Sequence, residues 1–489
     1  MHLDDPDDLG EKKICHRCVE EKYLSDEIRS KGKRRRCSYC GKIGYCYRVG
    51  EMATRIDEVF RQHYTRTSDQ PTSLQYMMLN DEEPDYVWTR DGERVVDAIM
   101  NAAEIPEEAA RDIQQILDGQ YGDIEAAQMG EETEFSSGSF YEEKGPSDAD
   151  WQEEWQSFER SLKTEARFFS RTSAQHLASI FDGIDIMSTR DGRPLVVDAG
   201  PGTALNSLYR ARAFQSDDNL TTALCRPDKH LGSPPSSLAT AGRMNARGIS
   251  VFYGANDPKV AVAEVRPPVG SQVAVARFEI TRPLRLLDLT ALGAVASGGS
   301  VFDPGLAARL EREMFLRSLS QRITKPVMPD DEAFEYLPTQ AIADFLATEV
   351  GVPLDGIIFP SIQVAGDALN VVLFHKAGRV EALEVPAGTE ITTRLGQMFE
   401  EGWEREYSVF EEVPPKEETP LSDEAKEGGS ATLAALAAIP WEQSDPDFRK
   451  VTLKIVGDSV KIYVVRQVEF QADEYAVQRY RREKHKPKF

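Results

Sequence analysis

The sequence predicts an α+β protein: a mixed, mostly antiparallel sheet domain, preceded by a cysteine knuckle and a helical domain. Three observations predict it. Two Cys-x-x-Cys pairs open the chain, Cys15/Cys18 and Cys37/Cys40. Helical periodicity runs through 50–64, 93–118 and 151–185. From residue 208 onward, short β-branched and aromatic runs mix with short helices, without the strict strand–helix alternation of a parallel sheet.

The cysteine pairs are separated by 18 residues. Each pair offers two soft thiolates, and four thiolates close a tetrahedral zinc shell. A structural zinc is therefore expected on Cys15, Cys18, Cys37 and Cys40, with Cys46 or His16 as substitute ligands. The gap contains a basic run at 31–36 that offers a nucleic-acid contact, against the commoner reading of a charge run as a solvated face.

The helical stretch 93–118 is broken by Pro106, which suits a helix start. Residues 122–150 are acidic and polar and read as a loop or disordered insert. Next come one or two amphipathic helices in 151–185, with a stripe of Trp155, Phe158, Leu162, Phe168, Phe169, Leu177 and Phe181. Arg171 and His176 lie within this stretch, and their R-x-x-x-x-H spacing resembles the catalytic motif of HEPN-type RNases. The run 195–203 resembles the glycine-rich first motif of methyltransferases, but Pro201 interrupts it and no third glycine follows. It reads as a loop leading into the next strand.

The densest stretch is 242–267. Gly242, Gly248 and Gly254 mark turns, and 249–253 reads as a strand carrying Tyr253. Asp257-Pro258 is an N-cap followed by proline at the first helical position, and Pro267-Pro268 stops the helix. Glu264 emerges near that helix's C-terminus, where a carboxylate opposes the macrodipole. Supporting the helix is not its task, so it is a candidate site residue. Further strands are expected at 272–280, 285–288, 356–361 and 370–374, and helices at 305–321 and 338–350. Residues 411–430 read as a charged linker, and 450–456 with 460–466 as a hairpin turning at 457–459.

Composition limits the options. The net charge of −24 opposes whole-chain wrapping by nucleic acid or an anionic membrane surface. Five of the six cysteines fall within 32 residues, which is a local cluster and no disulfide framework. With no run of 18 apolar residues and no apolar leader, the expected location is the cytoplasm, with no membrane partner.

The pieces 208–212 (LYRAR), 242–255 (GRMNARGISVFYGA), Glu264 within AVAEVRP, 336–345 (YLPTQAIADF), 355–361 (DGIIFPS) and 370–374 (NVVLF) together resemble the RES domain family. The zinc-knuckle and helical part resembles the HEPN-like extension of long RES proteins. Together with the composition of the chain, this gives expected domains at 1–48 (zinc knuckle), 49–190 (helical and HEPN-like, with the acidic insert 122–150), 191–385 (RES) and 386–489 (linker and C-terminal β-hairpin region). The resemblance also implies a fold similar to ADP-ribosyltransferase toxins and cleavage of the nicotinamide–ribose bond of NAD, as an NAD phosphorylase or glycohydrolase. Phosphate or water would accept the ADP-ribose, in the manner of a toxin or defence effector with an antitoxin or regulatory partner. NAD is then substrate and zinc the structural metal; oligomeric state is left open. Carried over by motif, the catalytic residues are Glu264, Arg243, Tyr253 and Ser361, and the NAD-binding ones Arg210, Arg243, Tyr253 and Asn370. Met244 stands where the family motif leads one to expect an aromatic residue.

Residue chemistry agrees with these roles. Nicotinamide leaves a cationic ring as a neutral molecule, so the reaction needs no general acid and one fixed negative charge near the oxocarbenium ion. Glu264 suits that task, arginine forks suit pyrophosphate, and Tyr253 suits the pyridinium face. Ser361 is expected to orient Glu264 or the ribose, and Asn370 to contact the ribose. Two alternatives stay open here: ADP-ribosyl transfer to a protein target, and an RNA-binding or HEPN-type nuclease module with a RES-like scaffold.

Overall fold

The computed structural model describes residues 6–79, 87–123, 129, 131–167, 170–349, 351, 353–400, 402–415, 447–469 and 472–481. These residues form two compact units, one from Met1–Leu195 with Thr290–Lys325 and one from Val196–Leu289 with Pro326–Phe489. Among the described residues, no helix is long and apolar enough to cross a membrane.

The first unit begins with a small antiparallel sheet of β1 (Lys13–Cys15), β2 (Lys33–Arg36) and β3 (Ile43–Arg48), in the order β1-β3-β2. The helix Lys22–Lys31 packs Leu24 and Ile28 inward and is capped by the Glu21 carboxylate, which accepts from the Tyr23 and Leu24 amides. Helices Val49–His63, Val95–Ala103 and Glu107–Tyr121 follow the apolar periodicity and bury Ile56, Ile99 and Ile113 completely.

The acidic insert departs from expectation. Its described residues contribute β6 (Phe140–Glu143), which lies between β4 (Tyr64–Arg66) and β5 (Glu93–Arg94) as the central strand of a second sheet. Phe135 and Tyr141 are buried, with ring centroids 5.3 and 5.0 Å from Phe60. The Glu132 carboxylate lies between Arg66 and Arg90, which hold its pKa down, the bond to Arg90 contributing most. Two aromatic anchors and one ion-pair cluster thus order a segment whose mean charge reads as disorder.

Helices Ala149–Thr164 and Arg171–Phe181 bury Trp155, Phe158, Leu162, Leu177 and Phe181; Phe168 and Phe169 lie outside the described residues. The helix Leu306–Thr324 sets Phe315 against Trp151 and Trp155, at 5.6 and 5.9 Å between ring centroids.

The second unit is built on one large sheet. Its strands are β7 (Val196–Ala199), β8 (Ser207–Phe214), β9 (Phe252–Ala255), β10 (Gln272–Ile280), β11 (Leu284–Asp288), β12 (Gly356–Pro360) and β13 (Leu369–Leu373). Two small pairs follow, β14 (Glu390–Arg394) with β17 (Ser408–Glu412) and β15 (Gln397–Phe399) with β16 (Gly402–Glu404), before β18 (Leu453–Ile455) and β19 (Lys461–Val464) return to the large sheet. Its order is β18-β10-β8-β9-β13-β12-β11-β7, with β19 also on β10, and β11–β12 is its parallel pair, the other pairings being antiparallel. One face buries Leu208, Phe252, Phe278 and Leu286, and another cluster holds Val260, Ala261, Val273 and Val275.

Three sequence expectations change here. The run 195–203 contains an edge strand, β7, antiparallel to β11, where a loop was expected. Its turn needs glycine at Gly200, because φ is 120° and a Cβ would stand 2.6 Å from the Arg282 carbonyl oxygen. The strand expected at 249–253 lies at 252–255, since the Ser250 hydroxyl is spent on the Pro234 carbonyl and Ile249 is exposed. Finally, β18 and β19 do not form a hairpin with each other. Both pair with β10 end to end, Leu453–Ile455 against Ile280–Phe278 and Lys461–Val464 against Val275–Gln272. The turn at 457–459 separates these two pairings and is pinned by Ser459 Oγ accepting from the Arg277 amide at 3.0 Å.

Candidate functional site

Three neighbouring strands and one short helix converge on a cavity of about 450 Å³ in the second unit. β8 supplies Arg210, β9 supplies Tyr253, β13 supplies Asn370, and the helix Pro258–Glu264 ends on Glu264. That helix starts as its sequence dictates: Pro258 is at its first position and Asp257 Oδ1 accepts from the Lys259 amide at 2.7 Å.

The helix end places Glu264 where two side chains hold the same oxygen. Ser361 Oγ donates to Oε1 at 2.6 Å and Asn370 Nδ2 donates to it at 2.7 Å. Oε2 has no hydrogen-bond partner among the described residues, and Glu264 stays exposed on the cavity wall. Asn370 is buried and fixed by cross-strand pairing with Ala255 and Phe359, so its amide has little freedom to turn elsewhere. The structure thus gives Asn370 a partner that sequence reasoning did not assign to it.

Arg210 is half-buried with its guanidinium 5.0 Å from the centre of the Phe252 ring. Its Nη1 is sealed from solvent and lacks a hydrogen-bond partner among the described residues. Desolvation, with repulsion from Arg212, pulls its pKa down to about 10. A cation stripped of water beside an open cavity favours an incoming anion.

The turn bearing Arg243 is held tightly. Gln340 Nε2 donates to the Gly242 carbonyl at 2.8 Å and Thr339 Oγ1 to the Arg243 carbonyl at 2.6 Å, both from the helix Leu337–Thr348. The Tyr253 hydroxyl accepts from the Met244 amide at 3.1 Å and donates to Asn245 Oδ1 at 2.8 Å. Burial pushes this phenol up to about 12. A Cβ on Gly242 would meet both the Tyr253 hydroxyl and Asn245 Oδ1 at 2.7 Å, which explains the glycine. Tyr253 therefore lines the cavity with its ring while its oxygen knits the turn; Met244 is buried behind it.

Glu332 and Tyr336 escaped the sequence reading. Arg243 lies over the Tyr336 ring at 5.0 Å, Tyr336 donates its hydroxyl to Glu332 Oε1 at 3.1 Å, and both residues line the cavity. Tyr336 opens the 336–345 motif, and that was the available signal; Glu332 sits in an acidic run that looks like any solvated helix start.

In the first unit, Cys15, Cys18, Cys37 and Cys40 bring four Sγ atoms within 4.8 Å of one another. Sγ separations of 3.7, 3.6 and 3.8 Å are found for Cys15–Cys18, Cys15–Cys40 and Cys18–Cys37. A tetrahedron of thiolates at the zinc–sulfur bond length of about 2.3 Å has edges of about 3.8 Å. The cluster fits a metal ion of that size. Cys46 is aimed elsewhere, toward the Arg35 and Gly44 carbonyls, and the His16 ring nitrogen Nδ1 faces the Tyr45 carbonyl.

Arg171 and His176 stand on one helix, but only Arg171 is exposed. The His176 ring lies in a cage of Trp151, Trp155 and Phe158, with Nδ1 3.1 Å from Glu154 and Nε2 sealed and without a partner among the described residues. Burial, opposed by Glu154, holds its pKa below the ordinary value. The unfolded chain takes up this proton at higher pH than the folded one, so the contribution is complete above about pH 6.5 and is lost as pH falls toward the folded pKa. His176→Phe is expected to flatten the acid side of the stability curve. Melting temperatures of both proteins at pH 5.5 and 7.5 check this: an unchanged difference between the two pH values refutes it.

Residues 208–394 match the family model of the RES domain, a family of NAD-acting enzymes. No curated protein and no solved structure matches the chain.

Proposed function

We propose that this RES domain-bearing chain cleaves the bond between nicotinamide and ribose in NAD and passes the ADP-ribose to phosphate or water. The observation carrying this reading is Glu264, anchored through one oxygen by Ser361 and Asn370 and with its other oxygen unengaged on the cavity wall. A carboxylate held in this way offers a fixed negative charge that need not reorganise during reaction. As the C1′–N1 bond breaks, its electron pair returns to the ring nitrogen and neutralises the pyridinium. Glu264 offsets the positive charge left on the ribose, and an acceptor oxygen then bonds to C1′ and gives up its proton to solvent. Arg210 receives the pyrophosphate, and the Arg243–Tyr336 stack forms another part of the cavity wall.

We take the four-cysteine cluster as a structural zinc site, which holds the knuckle together and takes no part in the reaction. Consumption of NAD fits a toxin or defence effector, whose partner would be a regulatory protein or antitoxin.

The test is incubation of the full chain with NAD, with and without phosphate, with products resolved by mass spectrometry. Free nicotinamide with ADP-ribose phosphate means phosphorolysis, and nicotinamide with ADP-ribose means hydrolysis. Label from NAD on a protein supports the transferase alternative instead, and intact NAD under all conditions refutes the reading. Arg210→Gln should raise KM about 10–100-fold with a smaller change in kcat, because a charge-assisted hydrogen bond to ground and transition state alike is lost. A fall in kcat at constant KM would remove Arg210 from the binding role.

A further inference from the structure

The knuckle presents a charged face that neither the metal cluster nor the core uses. β2 is an edge strand, and its four residues Lys33, Arg34, Arg35 and Arg36 are all exposed. Basic residues on an edge guard against strand pairing, which by itself would explain the charge. The surroundings ask for more. Carboxylates of this unit form ion pairs elsewhere: Asp26 with Arg29, Glu27 with Arg55 and Lys31, Glu11 with Arg48, and Asp112 with Lys12. Among the described residues, no carboxylate pairs with any side chain of β2, in a chain whose net charge is −24. So concentrated a positive strand in so acidic a protein is uncompensated by any ion pair among the described residues.

Strand register then sets what accompanies the charge. Arg34 lies opposite Tyr45 and Arg36 opposite Ile43, so these four side chains share one face. Tyr45 and Ile43 are 45% and 63% exposed, although the small knuckle buries its other face. The His16 ring lies 6.4 Å from that of Tyr45, and Arg17 Nη2 donates to the Ile43 carbonyl at 2.9 Å. Cations flanking the exposed Tyr45 ring, on a backbone that four thiolates can lock, match phosphodiester oxygens and an unstacked base together. An acidic peptide would match the cations alone.

We propose that the face of β2 and β3 carrying Arg34, Arg36, Ile43 and Tyr45 binds single-stranded nucleic acid. The arginines take backbone phosphates and a base stacks on Tyr45. The assignment is independent of what the cavity in the second unit does.

Fluorescence anisotropy of the full, metal-loaded chain with a labelled 12-nucleotide uridine RNA tests it, at 50 and 200 mM salt. Two to four phosphate contacts, at a slope of about −0.7 each on a log–log salt plot, give a loss of about 7–50-fold between these concentrations. Arg34→Glu with Arg36→Glu should weaken binding at least about 30-fold and lower the slope by about 1.4. Tyr45→Ala should weaken it about 5–150-fold, the range of one lost base stack. Arg34→Gln with Arg36→Gln is the milder pair should charge reversal reduce metal content or circular dichroism signal. Binding of single-stranded DNA of the same length with equal loss in the variants supports the same face without RNA selectivity. No binding at 50 mM salt, unchanged affinity in both arginine pairs, equal affinity for duplex with no effect of Tyr45→Ala, or displacement of the RNA by polyglutamate at equal charge each overturns the proposal.

Discussion

Glu264→Gln is expected to lower kcat for NAD cleavage by about 10²–10³-fold while leaving the melting temperature within a degree or two. Glutamine keeps an oxygen that can accept from Ser361 Oγ and Asn370 Nδ2, the two donors now on Oε1. What disappears is the negative charge, at the moment when the ribose becomes positive. Because NAD already carries a cationic pyridinium, part of the attraction exists in the ground state and KM should rise as well, by less than kcat falls. The helix that carries Glu264 gains slightly, since a negative charge leaves its C-terminus. Steady-state NAD loss followed by nicotinamide release measures the effect. A variant within threefold of wild type would show that Glu264 is not the charge that matters, and the second carboxylate on the cavity wall, Glu332, would become the candidate.

Removal of the metal from the knuckle should be the largest stability effect in the molecule. The knuckle adds few apolar side chains of its own: Ile14, Val19, Leu24 and Ile28, which join the core of the helices Val49–His63, Val95–Ala103 and Glu107–Tyr121. Structural zinc sites contribute about 10–16 kcal/mol of apparent binding energy near neutral pH, more than the burial of four apolar side chains at about 1.5–3 kcal/mol each. Cys37→Ser, which removes a buried ligand, or chelation under reducing conditions should release one metal ion per chain. Amide hydrogens in 13–48 should then lose protection from exchange almost completely. Metal analysis together with hydrogen exchange by mass spectrometry reads both quantities. A metal-free chain with full protection over these residues would mean that the thiols merely pack.

How legible this was in the sequence depended on whether the signal was local. The strand Gln272–Ile280 was readable to its last residue because nine residues of alternating and buried apolar character leave one solution. The helix bearing Glu264 was readable from its cap and its prolines. The cysteine spacing gave the four clustered thiols directly. By contrast, strand partners are chosen by tertiary packing, and two adjacent β runs around a Gly-Asp-Ser turn look alike whether they fold on each other or lie along β10. Charge averaging hid β6, where Phe140 and Tyr141 sit among glutamates. The joint hold of Ser361 and Asn370 on one oxygen came from two strand ends brought together, a relation no spacing along the chain reveals.

The edge of the sheet beyond β10 has a consequence for synthesis. Ile280 leaves the ribosome roughly 170 residues before Leu453, its partner in the finished sheet; at ~5–20 residues per second the interval is roughly 9–35 s. Throughout it, the outer side of β10 is a nascent strand with unpaired amides and carbonyls, longer-lived than the few microseconds that a hairpin takes to form. A gene fragment ending where the family match ends, at 394, makes that temporary state permanent. Such fragments would leave the soluble pool by edge-to-edge association, and premature termination in the reading frame would deplete the protein through aggregation with its cavity residues fully translated.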